Sequence, residues 1–490
     1  MLHFLDLSLR ATSPRHIPPP TPMRSVLIHS VVLVLWALLF AMAFRYTGLL
    51  AWSTGVAYVA YDTLLLGFVF WQTLSLAKNQ RLEPEPEPGP AAADLPTARV
   101  TLGVVVAAHN EAAVLPLTLA ALLGQTDAPD QIVVADDGST DATPDVMLRL
   151  YGLAVPPLGV MSAASPTYPT LRWLRLPHGG KATALNAAIV QMDTETVLTV
   201  DGDTLLEADA IGAMQRAFSK EPALVAATGV LAPVCRPTLG GRLFQWFQTY
   251  EYIRNFLSRY AWMQVGGLLL ISGAFAGFRR RALVEVGGFD TDCLVEDYEL
   301  IHRLRRFSVM SERGWTTRVL GTARARTEAP GTVGAFLRQR RRWFGGFLQT
   351  QYWYRDMVGD PRYGWLGLAM LPVKAIDTLQ PLYGLTAFLL LVYYLLNGSL
   401  GVLAPVGGVI GAKIVLDLVF HLWSVHLYRR WAQGAGAPRV GFGLALLAAL
   451  VEPFTFQILR HLGAAWGWGY FLTGGRHWGR QSRGGLLPPA

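Results

Sequence analysis

Two pairs of aspartates stand where apolar, strand-like runs stop. The run 131-QIVVA leads into Asp136-Asp137-Gly138-Ser139-Thr140-Asp141, and 197-VLTV leads into Asp201-Gly202-Asp203. A carboxylate just past a strand can accept hydrogen bonds from a ligand's N–H or from sugar hydroxyls. Two carboxylates one residue apart, beside a phosphate-bearing ligand, can share a hard divalent cation that offsets the phosphate charge. Either motif alone is also what an ordinary Asp/Gly turn looks like. The stretch 178-HGGKATALN opens a helix with Gly-Gly-Lys, which suits anion binding by backbone N–H groups and Lys181. It is no Walker A loop, because Arg175 stands where the first glycine would and Ala182 follows the lysine. Glu296-Asp297 precedes 298-YELIHRLRR. Paired acids at a helix start either complement the helix dipole or supply a general base for an attacking hydroxyl. Gln339-Arg340-Arg341-Arg342-Trp343 combines guanidinium forks, which fit phosphate oxygens, with an indole on which a sugar ring can rest. Its plainer reading is a basic helix at a membrane surface.

The elements that must position these groups alternate. Strand-like runs 100-VTLGVVVA, 131-QIVVA, 171-LRWLRL, 197-VLTV and 225-VAATGV are separated by helical stretches near 112–124, 142–150, 181–192 and 207–218. Such alternation implies an α/β domain with a mostly parallel sheet covered on both faces, and ligands in such sheets bind beyond the carboxyl ends of the strands.

Composition sets the frame. Of 490 residues, 52% are hydrophobic and 16% charged, so disorder is excluded and a wholly soluble chain is not expected. Only Cys235 and Cys293 occur, which excludes a disulfide scaffold. Ser25–Phe44 is an uncharged apolar run long enough to cross a bilayer, and a second follows within Leu49–Leu76. Ala41-Met42-Ala43 has the pattern of a signal-peptidase site, but both runs are read as retained spans. The net charge of +8 comes from clusters beside apolar spans, the pattern of cytoplasmic membrane flanks, and no nucleic-acid partner is expected.

The expected organisation is a cytoplasmic tail over 1–24, two transmembrane helices over 25–77 and a Pro/Glu linker over 78–96. The catalytic α/β domain follows over 97–350, then an amphipathic interfacial segment over 351–378. About three further spans occupy 379–472, and a basic tail 473–490. Lys413, Asp417 and His421 share one face of a predicted span. They read either as a self-satisfied structural pair or as the lining of a glycan route.

In order and spacing, these motifs resemble the membrane-integrated family 2 glycosyltransferases, the group of cellulose, chitin, hyaluronan and poly-N-acetylglucosamine synthases. The resemblance runs from about Val100 to Trp343 and includes 107-AAHNEA, where Ala107 replaces the usual proline and His109 a common tyrosine. It implies a GT-A-type, Rossmann-like cytoplasmic domain that uses a UDP-sugar and Mg²⁺ or Mn²⁺. Asp136 and Asp137 would meet the uracil and ribose, Lys181 and Asp201 would lie near the nucleotide, and Asp203 would hold the metal. Asp297, with Glu296 beside it, falls in the acidic motif of the catalytic base, with Val295 in place of the usual threonine. Gln339, Arg342 and Trp343 fill the QxxRW motif of processive members, Gln339 and Arg342 on the donor side and Trp343 on the acceptor side. The glycine-rich 271-ISGAFAGFRR, with Ser272 and Gly273, would line the acceptor end. The aromatic helix 244-FQWFQTYEYIRNF would lie against the acceptor or the membrane.

The implied activity is inverting transfer from a UDP-sugar to a growing β-linked glycan, with poly-N-acetylglucosamine favoured and export through the spans. The implied setting is the inner (plasma) membrane, with the lipid bilayer and a small accessory membrane subunit as further partners. The alternatives are a non-processive glycolipid synthase and a membrane channel or scaffold with an inactive transferase domain.

Overall fold

The structure, a computed structural model, describes residues 2–45, 49–78, 99–398, 403–432, 440–475 and 486. The expected Pro/Glu linker, beyond its first residue, and most of the basic tail lie outside the described residues. The chain opens with α1 (Leu2–Thr12), α2 (Met23–Arg45) and α3 (Leu49–Lys78). The α/β domain follows as β1 (Leu102–Ala108), α4 (Leu115–Leu123), β2 (Gln131–Asp137), α5 (Thr143–Tyr151), β3 (Leu171–Leu176) and α6 (Lys181–Ile189). It continues with β4 (Thr196–Asp201), β5 (Thr204–Leu206), α7 (Ala210–Lys220), β6 (Leu224–Val234) and α8 (Leu239–Gln264). Next come β7 (Phe275–Arg279), α9 (Arg280–Glu285), α10 (Glu296–Met310), β8 (Thr316–Glu328) and α11 (Val333–Trp353). After short 3₁₀ and π turns, the last helices are α12 (Leu371–Asp377), α13 (Gln380–Leu396), α14 (Leu403–Trp431), α15 (Phe442–Val451) and α16 (Phe456–Leu472).

One eight-stranded sheet runs in the order β3-β2-β1-β4-β7-β6-β8-β5. Its first four strands are parallel, and every residue from Val104 to Val106 and from Ile132 to Ala135 is buried, as a sheet covered on both faces requires. The second half is mixed: β7 runs antiparallel to β4 and β6, β8 is parallel to β6, and β5 is antiparallel to β8. The expectation of a mostly parallel sheet therefore describes only one half. The sequence hid β8 because its burial alternates along 316-TTRVLGTARARTE, placing arginines on the outer face of the strand.

Among the described residues, four helices are long and apolar enough to cross a membrane: Met23–Arg45, Val59–Ala77, Leu366–Leu396 and Gly407–Trp431. A fifth candidate is the bent pair Phe442–Phe454 and Phe456–Leu472, whose halves meet at 47°. Residues 366–378, expected to lie in the interface, instead run on with α13 as one apolar stretch of 31 residues. The last of the spans expected within 379–472 breaks at Glu452, and α16 turns to pack on α11. Glycines allow that approach: a Cβ at Gly463 would lie 2.4 Å from Arg340 Cβ, and one at Gly467 would lie 2.9 Å from Phe344 Cβ. Lys413 pairs with Asp417 one turn away and with Asp62 of α3 at 2.7 Å, so two helices share the charge.

A polar network joins the α/β domain to the apolar helices. Arg340 of α11 donates to both oxygens of Glu251 of α8, at 2.8 and 2.7 Å. Arg460 of α16 lies 3.6 Å from Glu251 and donates to Glu452 at 2.7 Å. Arg254 of α8 holds Glu452 in turn, at 2.8 and 2.6 Å, and its Nη1 meets His421 of α14 at 2.9 Å. Glu251 is buried, and removing its charge would leave the Arg340 guanidinium without its carboxylate while Arg460 keeps Glu452. Glu251→Gln is therefore expected to cost about 3–5 kcal/mol. It should lower the apparent melting temperature of the detergent-solubilised protein more than any single substitution on an exposed face. A melt unchanged from wild type would show the network to be dispensable.

Candidate active site

Register puts the strand-end acids together. Ala108 of β1 pairs with Asp136 and Ala107 with Asp201, so β2 and β4 release their aspartates at the same edge of the sheet. Asp136 is wholly buried and closes the turn by accepting from the Ser139 N–H at 2.8 Å. Asp137 holds the start of α6. Its Oδ1 accepts from the N–H groups of Gly179 (2.7 Å) and Gly180 (3.1 Å), and its Oδ2 also accepts from Gly180 (3.0 Å). Gly138 sits at φ +66°, and a Cβ there would lie 2.7 Å from the His178 N, so only glycine lets the two loops touch. The His109 and His178 rings stack above them with centroids 4.4 Å apart. One ligand atom from each of His109, Asp137 and His178 can fall within 4.8 Å of the others, a donor set that suits a transition metal.

The second cluster centres on Lys181, the first residue of α6. Its ammonium pairs with Asp201, lies 3.8 Å from Glu296 and donates to the Gly273 carbonyl at 3.3 Å. Burial works against its charge, but Asp201 and Glu296 outweigh burial and raise its pKa above the usual lysine value. Glu296 is buried, and burial first, then the neighbouring Asp297 charge, pushes its carboxyl from 4.5 up to about 7 against the pull of Lys181 and Arg342. Asp297 is fixed from two sides: its Oδ2 accepts from the Gly273 N–H at 2.7 Å and its Oδ1 from the Tyr298 N–H at 2.9 Å. A Cβ on Gly273 would lie 3.0 Å from Asp297 Cβ and Oδ2. Ser272 lies beside it, its N–H 3.4 Å from the Thr228 hydroxyl.

Asp203 lies beyond β4, next to the end of β8. Its carbonyl accepts from the Glu328 N–H at 3.2 Å. Burial, then Asp201 and Glu328, push the Asp203 carboxyl up to about 8, partly offset by Lys181. Carboxylates that resist ionisation because they crowd one another fit a divalent cation, and an all-oxygen set fits Mg²⁺ or Mn²⁺. The rule that found Asp137 and Asp203, an acid where a strand stops, also reaches Glu328, but β8 had not been read as a strand. Glu111 of the 107-AAHNEA segment was missed as well. It is buried, and a Cβ on Gly202 would lie 3.1 Å from its Cγ.

On α11, Gln339 is buried and its Oε1 has no hydrogen-bond partner among the described residues. Arg342 donates to the Leu294 carbonyl at 3.2 Å, just before Glu296. Trp343 carries the Arg340 guanidinium 4.6 Å above its ring. The structure thus gathers Lys181, Asp201, Glu296, Asp297, Gly273 and Arg342 closely, with Asp203 and Glu328 beside them. Asp137 lies at the same sheet edge, with its carboxylate already turned to the α6 loop.

Comparison with known proteins agrees with this geometry. Residues 103–287 match the Glycosyl transferase family 2 and residues 196–403 the Glycosyl transferase family group 2. Over 260 residues the chain is 29% identical to a poly-beta-1,6-N-acetyl-D-glucosamine synthase of Staphylococcus epidermidis, covering 51% of this chain and 56% of that one. Over 244 residues it is 28% identical to the protein of the same name from Staphylococcus aureus (strain COL), covering 49% and 53%. The chain thus spans about half the length of the curated relatives it matches. Among solved structures it resembles the mannosyltransferase PcManGT of Pyrobaculum calidifontis in complex with GDP-Man and Mn²⁺. That likeness has a TM-score of 0.51 and 20% identity, and covers 88% of this chain and 99% of that one. It is a likeness of fold, and it gives the α/β domain its GT-A type.

The raised Glu296 carboxyl makes stability depend on pH. Because the folded protein binds that proton more tightly than the unfolded chain, the stabilisation is complete below about pH 4.5 and is lost as pH rises through about 7. Between pH 5 and 7.5 the metal-free protein should lose on the order of 2 kcal/mol from this group. Glu296→Gln should flatten the decline. Parallel denaturation curves for the two proteins across this range would remove Glu296 as the cause.

Proposed function

We propose a reaction for a chain that belongs to the family 2 glycosyltransferases: inverting transfer of a sugar from a UDP-sugar to the end of a growing β-linked polysaccharide. Poly-β-1,6-N-acetylglucosamine is the favoured product, because relatives that bear that name match about half of this chain. The observation that carries the reading is the anchoring of Asp297. Two backbone N–H groups fix its carboxylate beside the Lys181 cluster, close to where a diphosphate would leave.

Asp297 takes the proton from an acceptor hydroxyl. The hydroxyl oxygen attacks the anomeric carbon while the bond from that carbon to the diphosphate oxygen breaks, so an α-linked donor gives a β-linkage. Lys181 and Arg342 face the charge that develops on the leaving diphosphate. Asp203, with Asp201 and Glu328 adjacent, would hold Mg²⁺ or Mn²⁺, and a bound ion would supply Lewis-acid neutralisation of the diphosphate. Asp137 and the two stacked imidazoles border the place for the nucleobase and ribose, and Asp136 shapes that loop from below. Gln339 reaches the donor from α11, while Trp343, Ser272 and Gly273 bound the acceptor side. The apolar helices fit the inner membrane with the α/β domain on the cytoplasmic side, as Arg10, Arg15 and Arg24 before the first span and Lys78 and Arg81 after the second favour, and a growing chain would leave between them.

The test is purified protein with UDP-N-acetylglucosamine and, separately, other UDP-sugars, with UDP release and product size both measured. Long products that resist extraction into organic solvent are expected, with activity lost in EDTA and restored by Mn²⁺ or Mg²⁺. Short, solvent-extractable glycolipid alone would overturn the polymer reading. Asp297→Asn should keep UDP affinity near wild type while turnover falls about 10²–10⁴-fold. Equal loss of both would make Asp297 a binding residue. Asp203→Asn should weaken Mn²⁺ binding by calorimetry, and unaltered binding would remove Asp203 from the metal site.

A further inference from the structure

Arg259 has no assigned role, and its surroundings are those of a binding group without its ligand. It lies on α8, seven residues after Tyr252, so the two share a helix face. Its Nε and Nη1 are both shut off from water and have no hydrogen-bond partner among the described residues. No other described guanidinium has two such nitrogens. The group stacks on the Phe256 ring at 4.8 Å, which holds it in place without satisfying its donors. Burial depresses its pKa to about 10, and the charges that oppose this come from Asp297 and Tyr252. It nonetheless makes no ion pair with Asp297 among the described residues. Tyr252 in turn feels Arg340, whose guanidinium covers Trp343. Arg259 therefore lies within electrostatic reach of the carboxylate read as the base, with two donors idle and its plane held on Phe256.

A dry guanidinium with idle donors is costly unless a ligand supplies oxygens. The donor diphosphate already has Lys181 and Arg342. We propose that Arg259 is an acceptor-binding residue, whose N–H groups donate to oxygens of the terminal acceptor sugar and so present that sugar's hydroxyl to Asp297. Neutral sugar oxygens complete the hydrogen bonds of the guanidinium and leave Asp297 free to take the proton, which a direct ion pair would not. This inference rests on the glycosyl-transfer reading above.

The experiment uses the full chain in detergent with UDP-N-acetylglucosamine and a series of concentrations of a short β-linked N-acetylglucosamine oligosaccharide. Arg259→Met keeps the apolar stem on Phe256, and Arg259→Lys keeps the charge. For Arg259→Met the acceptor KM should rise at least about tenfold, as loss of hydrogen bonds from a charged donor implies, while UDP affinity by calorimetry stays within about twofold. Arg259→Lys should recover part of the loss, because an ammonium donates but lacks the planar fork. An unchanged acceptor KM in Arg259→Met overturns the proposal, and so does a parallel fall in UDP affinity. If Arg259→Met melts below wild type, Arg259→Lys decides alone: a raised acceptor KM with intact UDP binding supports the proposal, and a wild-type acceptor KM overturns it. Absence of UDP release by the wild-type chain from every UDP-sugar would instead sink the underlying reading.

Discussion

One ammonium among crowded carboxylates is the constraint on which the site depends. Asp201, Asp203, Glu296, Asp297 and Glu328 come from three separate segments and converge at one edge of the sheet. Lys181 is the side chain that answers Asp201 and Glu296 directly. It stands at the first turn of α6, whose loop Asp137 grips through two glycine N–H groups. The residue that grips the loop and the residue that neutralises the acids are thus parts of one device. Shifting the loop would move the lysine and leave the carboxylates to repel one another. Burial first, and then the remaining repulsion, raises the Asp203 and Glu296 carboxyls.

The same economy of backbone contacts governs Asp297. Asp297 begins α10, where the first N–H groups of a helix have no intrahelical partners. It uses the Tyr298 N–H there and borrows the Gly273 N–H from the segment before β7. Gly273 must lack a side chain for the borrowed contact to form, since a Cβ would press on the carboxylate itself. A glycine here sets the position of an acid by being small.

Beyond the sheet, α8 and α11 connect the site to the apolar helices. The Arg340 that covers Trp343 also grips Glu251, and Glu251 connects through Arg460 and Glu452 to the break between α15 and α16. Buried ion pairs gain specificity more readily than net stability, because desolvation offsets most of their attraction. Their use here is consistent with fixing one register between the helix that bears QxxRW and the helices around it. The close packing of α16 on α11, with glycines at the contact, fixes the same register sterically.

Local patterns carried much of this in the sequence. Apolar runs ending in Asp136-Asp137 and Asp201-Gly202-Asp203 were legible because a strand's burial and its terminal acid are written in adjacent residues. Two leading apolar runs, the Gly-Gly-Lys helix start and the Glu-Asp and QxxRW segments were legible for the same reason. What the tertiary structure alone decided involves partners far apart in the chain. The mixed half of the sheet depends on β7 and β8, whose arginines and glycines read locally as loop. Glu328 matters because β8 delivers it beside Asp203, more than 100 residues earlier. Arg259 looks like one more basic residue beyond an aromatic stretch until the fold shuts its Nε and Nη1 off from water. That Lys413 and Asp417 could meet a neighbouring span was legible, but only the fold brings Asp62 of α3 to the same ammonium. Periodicity reports which face of an element is buried, whereas charge compensation is settled only when separate elements meet.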